Sequence, residues 1–186
     1  TKNISSKYKI ENLCLAGGVA LNCVANGKVQ NEKIFKNIWI QPASGDAGGS
    51  LGAALAYWHH ELGKPRDEFS DKMMGSFLGP KFDNNFIETK LKLLKANFKK
   101  YSKEEVTSLI AKELANEKIV GWFQGKMEFG PRALGNRSIL ADPSNIEMKK
   151  IINSKIKRRE SFRPFAPVVL KRLQNEWFES NFSNLY

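Results

Sequence analysis

The chain has 186 residues, of which 41% are hydrophobic and 26% charged, and a net charge of +11. That size and balance describe one large or two small globular domains with enough chain to form a core. No apolar run reaches the about 18 residues that a membrane-spanning helix needs, so no membrane partner is expected. Two cysteines, Cys14 and Cys23, are too few for a disulfide scaffold. They imply a reducing, cytoplasmic setting, with Cys14 packed in the core.

The opening TKNISSKYKI lacks both the apolar core of a signal peptide and an initiator Met, so the sequence reads as part of a longer chain. Asn12 to Ala16 (NLCLA) is a short buried strand that runs into Gly17 and Gly18. Residues 19–33 read as helical, and Asn37 to Gln41 (NIWIQ) as a second strand ended by Pro42. A tight loop over residues 43–50 then opens a helix from Leu51 to Leu62, stopped by Gly63, Lys64 and Pro65. This repeated order of strand, glycine turn and helix is the rhythm of an α/β nucleotide-binding unit.

Residues 64–82 read as a linker, placing a boundary between residues 1–75 and 76–186. Beyond it, Asn84 to Ala96 is predicted helical and Phe98 to Tyr101 a strand. Ser102 and Glu105 form a capping box that starts a helix to about Asn116. Strands are predicted at Lys118 to Gln124 and Ser138 to Ala141. Ser144 is expected to cap a basic helix ending near Ile156, and Phe165 to Leu170 is expected to be an apolar strand.

The charge is uneven. Residues 1–75 hold 9 Lys and Arg against 7 Asp and Glu, whereas residues 76–186 hold 21 against 12. Much of the excess lies in two motifs. GKMEFGPRALGNRSILADP, from Gly125 to Pro143, sets Lys126, Arg132 and Arg137 among glycines. Guanidinium forks, the amide of Asn136 and the hydroxyl of Ser138 fall within seven residues, a grouping suited to phosphate or carboxylate. A solvated surface loop is the plain alternative. The motif is not a standard phosphate loop, because no Gly-Lys-Ser/Thr follows Gly130. The second motif, KIKRRESFRP, carries Lys157, Arg158 and Arg163, with Phe162, Phe165 and Pro167 as an apolar wall. Its plain alternative is a basic helix end.

Two glycine loops precede these motifs. Gly17 and Gly18 either allow close approach of a ligand, with Asn22 directed at a ribose or phosphate, or form a simple turn. In Ser44 to Ser50 (SGDAGGS), Asp46 either holds a bridging cation or caps the following helix. His59 and His60 are adjacent on a helix and so point apart, which fits surface residues better than a metal pair.

Together LAGGVALNCVANGKV, PASGDAGGSLGAAL, VGWFQGKMEFGPRALGNRSILADP and KIKRRESFRPFAPVVL resemble the O-carbamoyltransferase family of nodulation, cephalosporin and tobramycin carbamoylating enzymes. The resemblance implies an α/β fold with mixed α+β content: part of an ASKHA-type, Kae1-like domain over residues 1–75, then a YrdC-like domain over 76–186. It implies ATP and carbamoyl phosphate as substrates, joined as carbamoyladenylate in the second domain. The carbamoyl group would then pass to a hydroxylated small-molecule acceptor in the first domain, beside iron(II) or another divalent cation.

By the same resemblance Gly17, Gly18, Asn22 and Gly48 contact the adenylate and Asp46 is a metal ligand. Arg132, Asn136, Arg137, Ser138, Lys157, Arg158 and Arg163 line the carbamoyl phosphate and nucleotide pocket, with Arg132, Arg137, Lys157 and Arg163 as the catalytic set. The family's histidine metal ligands would lie before Thr1, so the sequence is expected to hold an incomplete transfer site. The rival expectation is a basic, YrdC-like module that binds nucleic acid through its phosphates.

Overall fold

The computed structural model describes residues 1–66 and 72–179, and the centre of the expected linker, 67–71, lies outside the described residues. The chain divides into two compact units. The first is Thr1–Pro80 together with Lys126–Ala133, and the second is Lys81–Gly125 together with Leu134–Tyr186. Helices and short strands mix in both, so the expected α/β class holds.

In the first unit, helix α1 (Lys2–Tyr8) precedes strand β1 (Asn12–Leu15), helix α2 (Cys23–Asn31) and strand β2 (Asn37–Ile40). The strands pair in parallel, Asn12 opposite Asn37 and Leu15 opposite Ile40. Alternation directs Leu13, Leu15, Ile38 and Ile40 to a half-buried face. Cys14 and Trp39 occupy the other face, and Cys14 is exposed. The expected core role of Cys14 is thereby corrected: strand polarity of the two-residue period places it opposite Leu13 and Leu15.

Two helix boundaries also differ from expectation. The segment predicted helical over 19–33 is broken. Gly18–Leu21 forms a 3-10 turn, and α2 starts only at Cys23, because the Asn22 side chain accepts from Ala25 N at 3.1 Å and caps it. Conversely, helix α3 (Asp46–Ala56) starts five residues before Leu51 and includes the glycines of the loop. Asp46 falls in its first turn, where a carboxylate complements the helix dipole. The helix continues as a π turn over Tyr57–Glu61, and Gly63 at φ 58° ends the run.

The second unit begins with helix α4 (Asn84–Leu93), whose first turn is capped by Asp83 accepting from Phe86 N at 2.7 Å. Glu88 on this helix lies 2.7 Å from both Lys100 and Lys92, and these two ammonium groups lower its carboxyl to about 2. Helix α5 (Lys103–Ala115) carries the complete capping box: Glu105 N donates to Ser102 Oγ, and Ser102 N donates to Glu105 Oε2. Strands β3 (Val120–Phe123) and β4 (Arg137–Leu140) pair antiparallel, with Phe123 opposite Arg137. Helix α6 (Met148–Ile151) passes into a π turn over Ile152–Lys157. Helix α7 (Gln174–Trp177) is a single turn.

Two expected strands and one expected helix cap are not formed. Phe98 to Tyr101 is not a strand, since β3 pairs with β4 alone among the described residues and offers it no ladder. Phe165 to Leu170 is not a strand either. Pro167 removes an amide from its middle, and Val168 is 91% exposed. Ser144 does not cap α6. Its amide is taken by Asp142 Oδ1 at 2.9 Å, and Asn145 Oδ1 takes the amide of Glu147, so two side-chain turns delay the helix to Met148.

Ser102→Ala is expected to destabilise the second unit by about 1 kcal/mol, read from urea unfolding. The Ser102 amide lowers the Glu105 pKa from its ordinary 4.5. The stability this carboxylate contributes is therefore complete above 4.5 and is lost as pH falls through the lower folded value. Wild type and Glu105→Gln should accordingly converge in acid.

Candidate functional site

The first unit gathers the glycine loops and Arg132. Gly17, at φ 94°, follows β1 in a conformation that favours glycine. Its amide donates to Ser44 O at 2.7 Å, which locks the first glycine loop onto the second. Ala43 and Ser44 are buried at this junction. A Cβ on Gly48 would lie 1.9 Å from Ala43 O, and one on Gly130 would lie 2.9 Å from Pro42 O and 3.2 Å from Ala43 Cα. Pro42 and Ala43 are thus approached by two glycines from distant parts of the sequence.

Backbone pairing brings the Gly130 segment there. Phe129 N donates to Ser76 O at 2.6 Å, Gly79 N to Met127 O at 2.9 Å, and Met127 N to Pro80 O at 3.0 Å. The Ser76 hydroxyl, 1% exposed, adds a bond to Phe129 O at 2.5 Å. Arg132 follows, and its Nη2 donates to Leu21 O at 3.0 Å, beside Asn22. Gly17, Gly18, Asn22, Gly48, Asp46 and Arg132 therefore all belong to one unit. The amides of the first turn of α3 and the fork of Arg132 are groups that attract an anion.

Asp46 is exposed and makes no capping bond at this helix end. The described residues contain no group of three or more His, Cys, Asp and Glu side chains placed to hold a metal. His59 Nδ1 is 2.8 Å from Lys64 O, a local contact. One carboxylate does not make an iron site, so these residues alone do not fit the metal that the resemblance implies, and no chemical step is assigned to it.

The second unit holds Asn136, Arg137, Ser138, Lys157, Arg158 and Arg163. Arg137 organises its own turn. Its guanidinium carbon sits 3.4 Å from the centre of the Phe123 ring. Nη1 donates to Gln124 O at 2.6 Å and to Asn136 O at 2.8 Å, and Nη2 to Gly125 O at 3.4 Å. Ser138 Oγ accepts from Gly135 N at 3.0 Å, and Gln124 Nε2 donates to Gly135 O at 3.1 Å. Gly125 is at φ 52°, with the Asn136 amide nitrogen 3.1 Å from where a Cβ would be. Arg137 and Ser138 are thus supports of the turn as well as candidate ligand contacts.

In the basic motif, Arg158 has left-handed backbone (φ 48°, ψ 52°) and ends the π turn. Arg163 Nε lies 2.9 Å from Glu160 Oε2. The Glu160 carboxyl is held below its usual range by a backbone hydrogen bond from its own amide and by the Arg163 and Arg159 charges. Lys157, Arg158 and Arg163 are exposed. Of the expected apolar wall, Phe165 lies under Arg159, 5.0 Å from ring centre to guanidinium carbon, while Phe162 is 73% exposed. A hollow of about 390 Å³ near the N-terminus is lined by Lys2, Lys28, Glu32 and Ile34 among others, and none of the expected site residues lines it.

Sequence reading missed several supporting groups: Ser76 behind Phe129, Gln124 beneath Gly135, and Asn153 with Arg159 behind the basic motif. Gln124 and Arg159 lie inside the motifs already singled out, whereas Ser76 and Asn153 lie outside them. A polar residue at the end of the apolar pair Ile151 and Ile152 was the one available signal for Asn153.

Comparison with known proteins decides the family. Residues 1–55 match the family description "Carbamoyltransferase N-terminus" and residues 111–186 match "Carbamoyltransferase C-terminus". The chain belongs to the carbamoyltransferase family. An uncharacterized protein of Synechocystis is 58% identical over 173 residues, covering 91% of this chain and 28% of the relative. Nodulation protein NolO of Bradyrhizobium diazoefficiens is 46% identical over 169 residues, covering 90% of this chain and 30% of NolO. Nodulation protein U of the same organism is 33% identical over 174 residues, covering 94% of this chain and 28% of the relative. The chain spans under a third of the length of these relatives. No helix among the described residues is long and apolar enough to cross a membrane.

Gly48→Ala should destabilise the first unit by about 1–3 kcal/mol in thermal or urea unfolding, because the added carbon meets backbone. Gly49→Ala, on the same helix but with open space around it, should instead stabilise by up to about 1 kcal/mol. Arg137→Lys keeps the charge and loses the planar fork. It should speed hydrogen exchange at Gln124, whose amide is bonded to Asn136 O across the turn.

Proposed function

We propose that the protein to which this chain belongs is an O-carbamoyltransferase. It activates carbamoyl phosphate with ATP to carbamoyladenylate and transfers the carbamoyl group to a hydroxyl of a sugar-like or antibiotic-like acceptor. What supports the reading most is the joint match to both ends of one family over the segments that carry the glycine loops and both arginine motifs.

The chemistry suits the residues. Carbamoyl phosphate and ATP are both anions, so their reaction requires their mutual repulsion to be cancelled. Arg132, Arg137, Lys157 and Arg163 supply positive charge that offsets this repulsion and stabilises charge as it develops. Asn136, Ser138 and Arg158 add hydrogen-bond donors for phosphoryl and carbamoyl oxygens. Gly17, Gly18, Asn22 and Gly48 bring backbone and a carboxamide close to the adenylate, and Gly17 and Gly48 both sit at the Ala43–Ser44 junction. Asp46 by itself does not fit a divalent cation, so no part of this account is routed through a metal. Nothing in this account uses a Ser-His nucleophile.

Calorimetric titration of the intact protein tests the reading. Carbamoyl phosphate and ATP should each bind saturably, and Arg132→Ala should weaken nucleotide binding at least tenfold. RNA binding with a steep salt dependence, together with indifference to carbamoyl phosphate, would replace this reading with a nucleic-acid module.

A further inference from the structure

The basic motif has little to hold it in shape. It runs from Arg158 to Arg163 with no regular secondary structure, and Phe162 turns out to solvent. Its fixed point is Asn153, a carboxamide with no exposed surface at all. A buried amide must find its hydrogen bonds within the protein. Asn153 Nδ2 donates to Arg163 O at 2.9 Å and to Ser161 O at 3.2 Å. Its Oδ1 accepts from Arg159 Nε at 2.7 Å, and its main-chain oxygen accepts from Arg159 N at 2.9 Å. Four bonds from one residue thus grip the motif near its start and at its end. Arg159 is in turn laid over Phe165.

We infer that Asn153 is a positioning residue: it fixes the backbone from which Arg163, among the arginines of the motif, projects, and so sets the geometry with which that guanidinium meets the carbamoyl phosphate oxygens. This rests on the anion-binding reading of those arginines given above. The chemistry is specific to an amide. Two donors face two carbonyls, and one acceptor faces a guanidinium. A carboxylate of the same shape keeps the Arg159 contact and turns the donor edge into an acceptor that repels the carbonyls of Ser161 and Arg163. Positioning errors of this kind alter binding without removing any group that touches the ligand.

The test is a double-mutant cycle on carbamoyl phosphate affinity in the intact protein, read by calorimetry. Asn153→Asp should raise Kd at least tenfold in the wild-type background and less than twofold in an Arg163→Ala background, because the residue acts through that arginine. A residue that merely stabilises the fold would give the same factor in both. Should Asn153→Asp not fold, Arg159→Lys loosens the same node while keeping the charge, and it should raise Kd severalfold with the same dependence on Arg163. Unchanged affinity, or equal factors in the two backgrounds, would overturn the role of Asn153. Failure of the wild-type protein itself to bind carbamoyl phosphate would overturn the reading of the site, and this inference with it.

Discussion

Backbone pairing between Ser76–Pro80 and Met127–Phe129 is the constraint on which the first unit's site depends. It joins a segment near residue 130 to a unit otherwise made of residues 1–80. Without it Gly130 would not lie against Pro42 and Ala43, and Arg132 would not reach Leu21. The bonds are backbone bonds, so they fix position irrespective of side chains. The buried Ser76 hydroxyl adds a side-chain bond to the pairing. Close approach then demands glycine: with a Cβ at 48 or 130, the two loops could not both meet Ala43.

The arginines of the motifs are held in chemically different ways. Arg132 and Arg137 are bonded to carbonyl oxygens, which carry dipoles and no net charge. Arg137 also lies on an aromatic face, a second neutral support. A guanidinium has five N–H donors in a fixed plane, so several such contacts at once restrict the side chain to one orientation.

Much of this was legible in the sequence, for identifiable reasons. The β1–α2–β2 order followed from apolar runs punctuated by glycines, and the Ser102 box from a local rule whose atoms all lie within four residues. The motifs that placed the chain in its family are continuous in sequence. Local rules failed where a competing bond was formed. Asp142 and Asn145 side chains took the amides that Ser144 was expected to organise, and the prolines around Phe165 left no complete ladder. The pairing of Ser76 with Phe129 spans 53 positions, and no pattern in either segment announces it. Asn153 was equally silent, because its partners are mainly backbone carbonyls that every residue possesses.

The Glu160–Arg163 pair clasps the basic motif across three positions at its solvent face. Both side chains are about half exposed, so water and dissolved ions screen the contact. Added salt therefore loosens this clasp well before it touches the fully buried amide of Asn153.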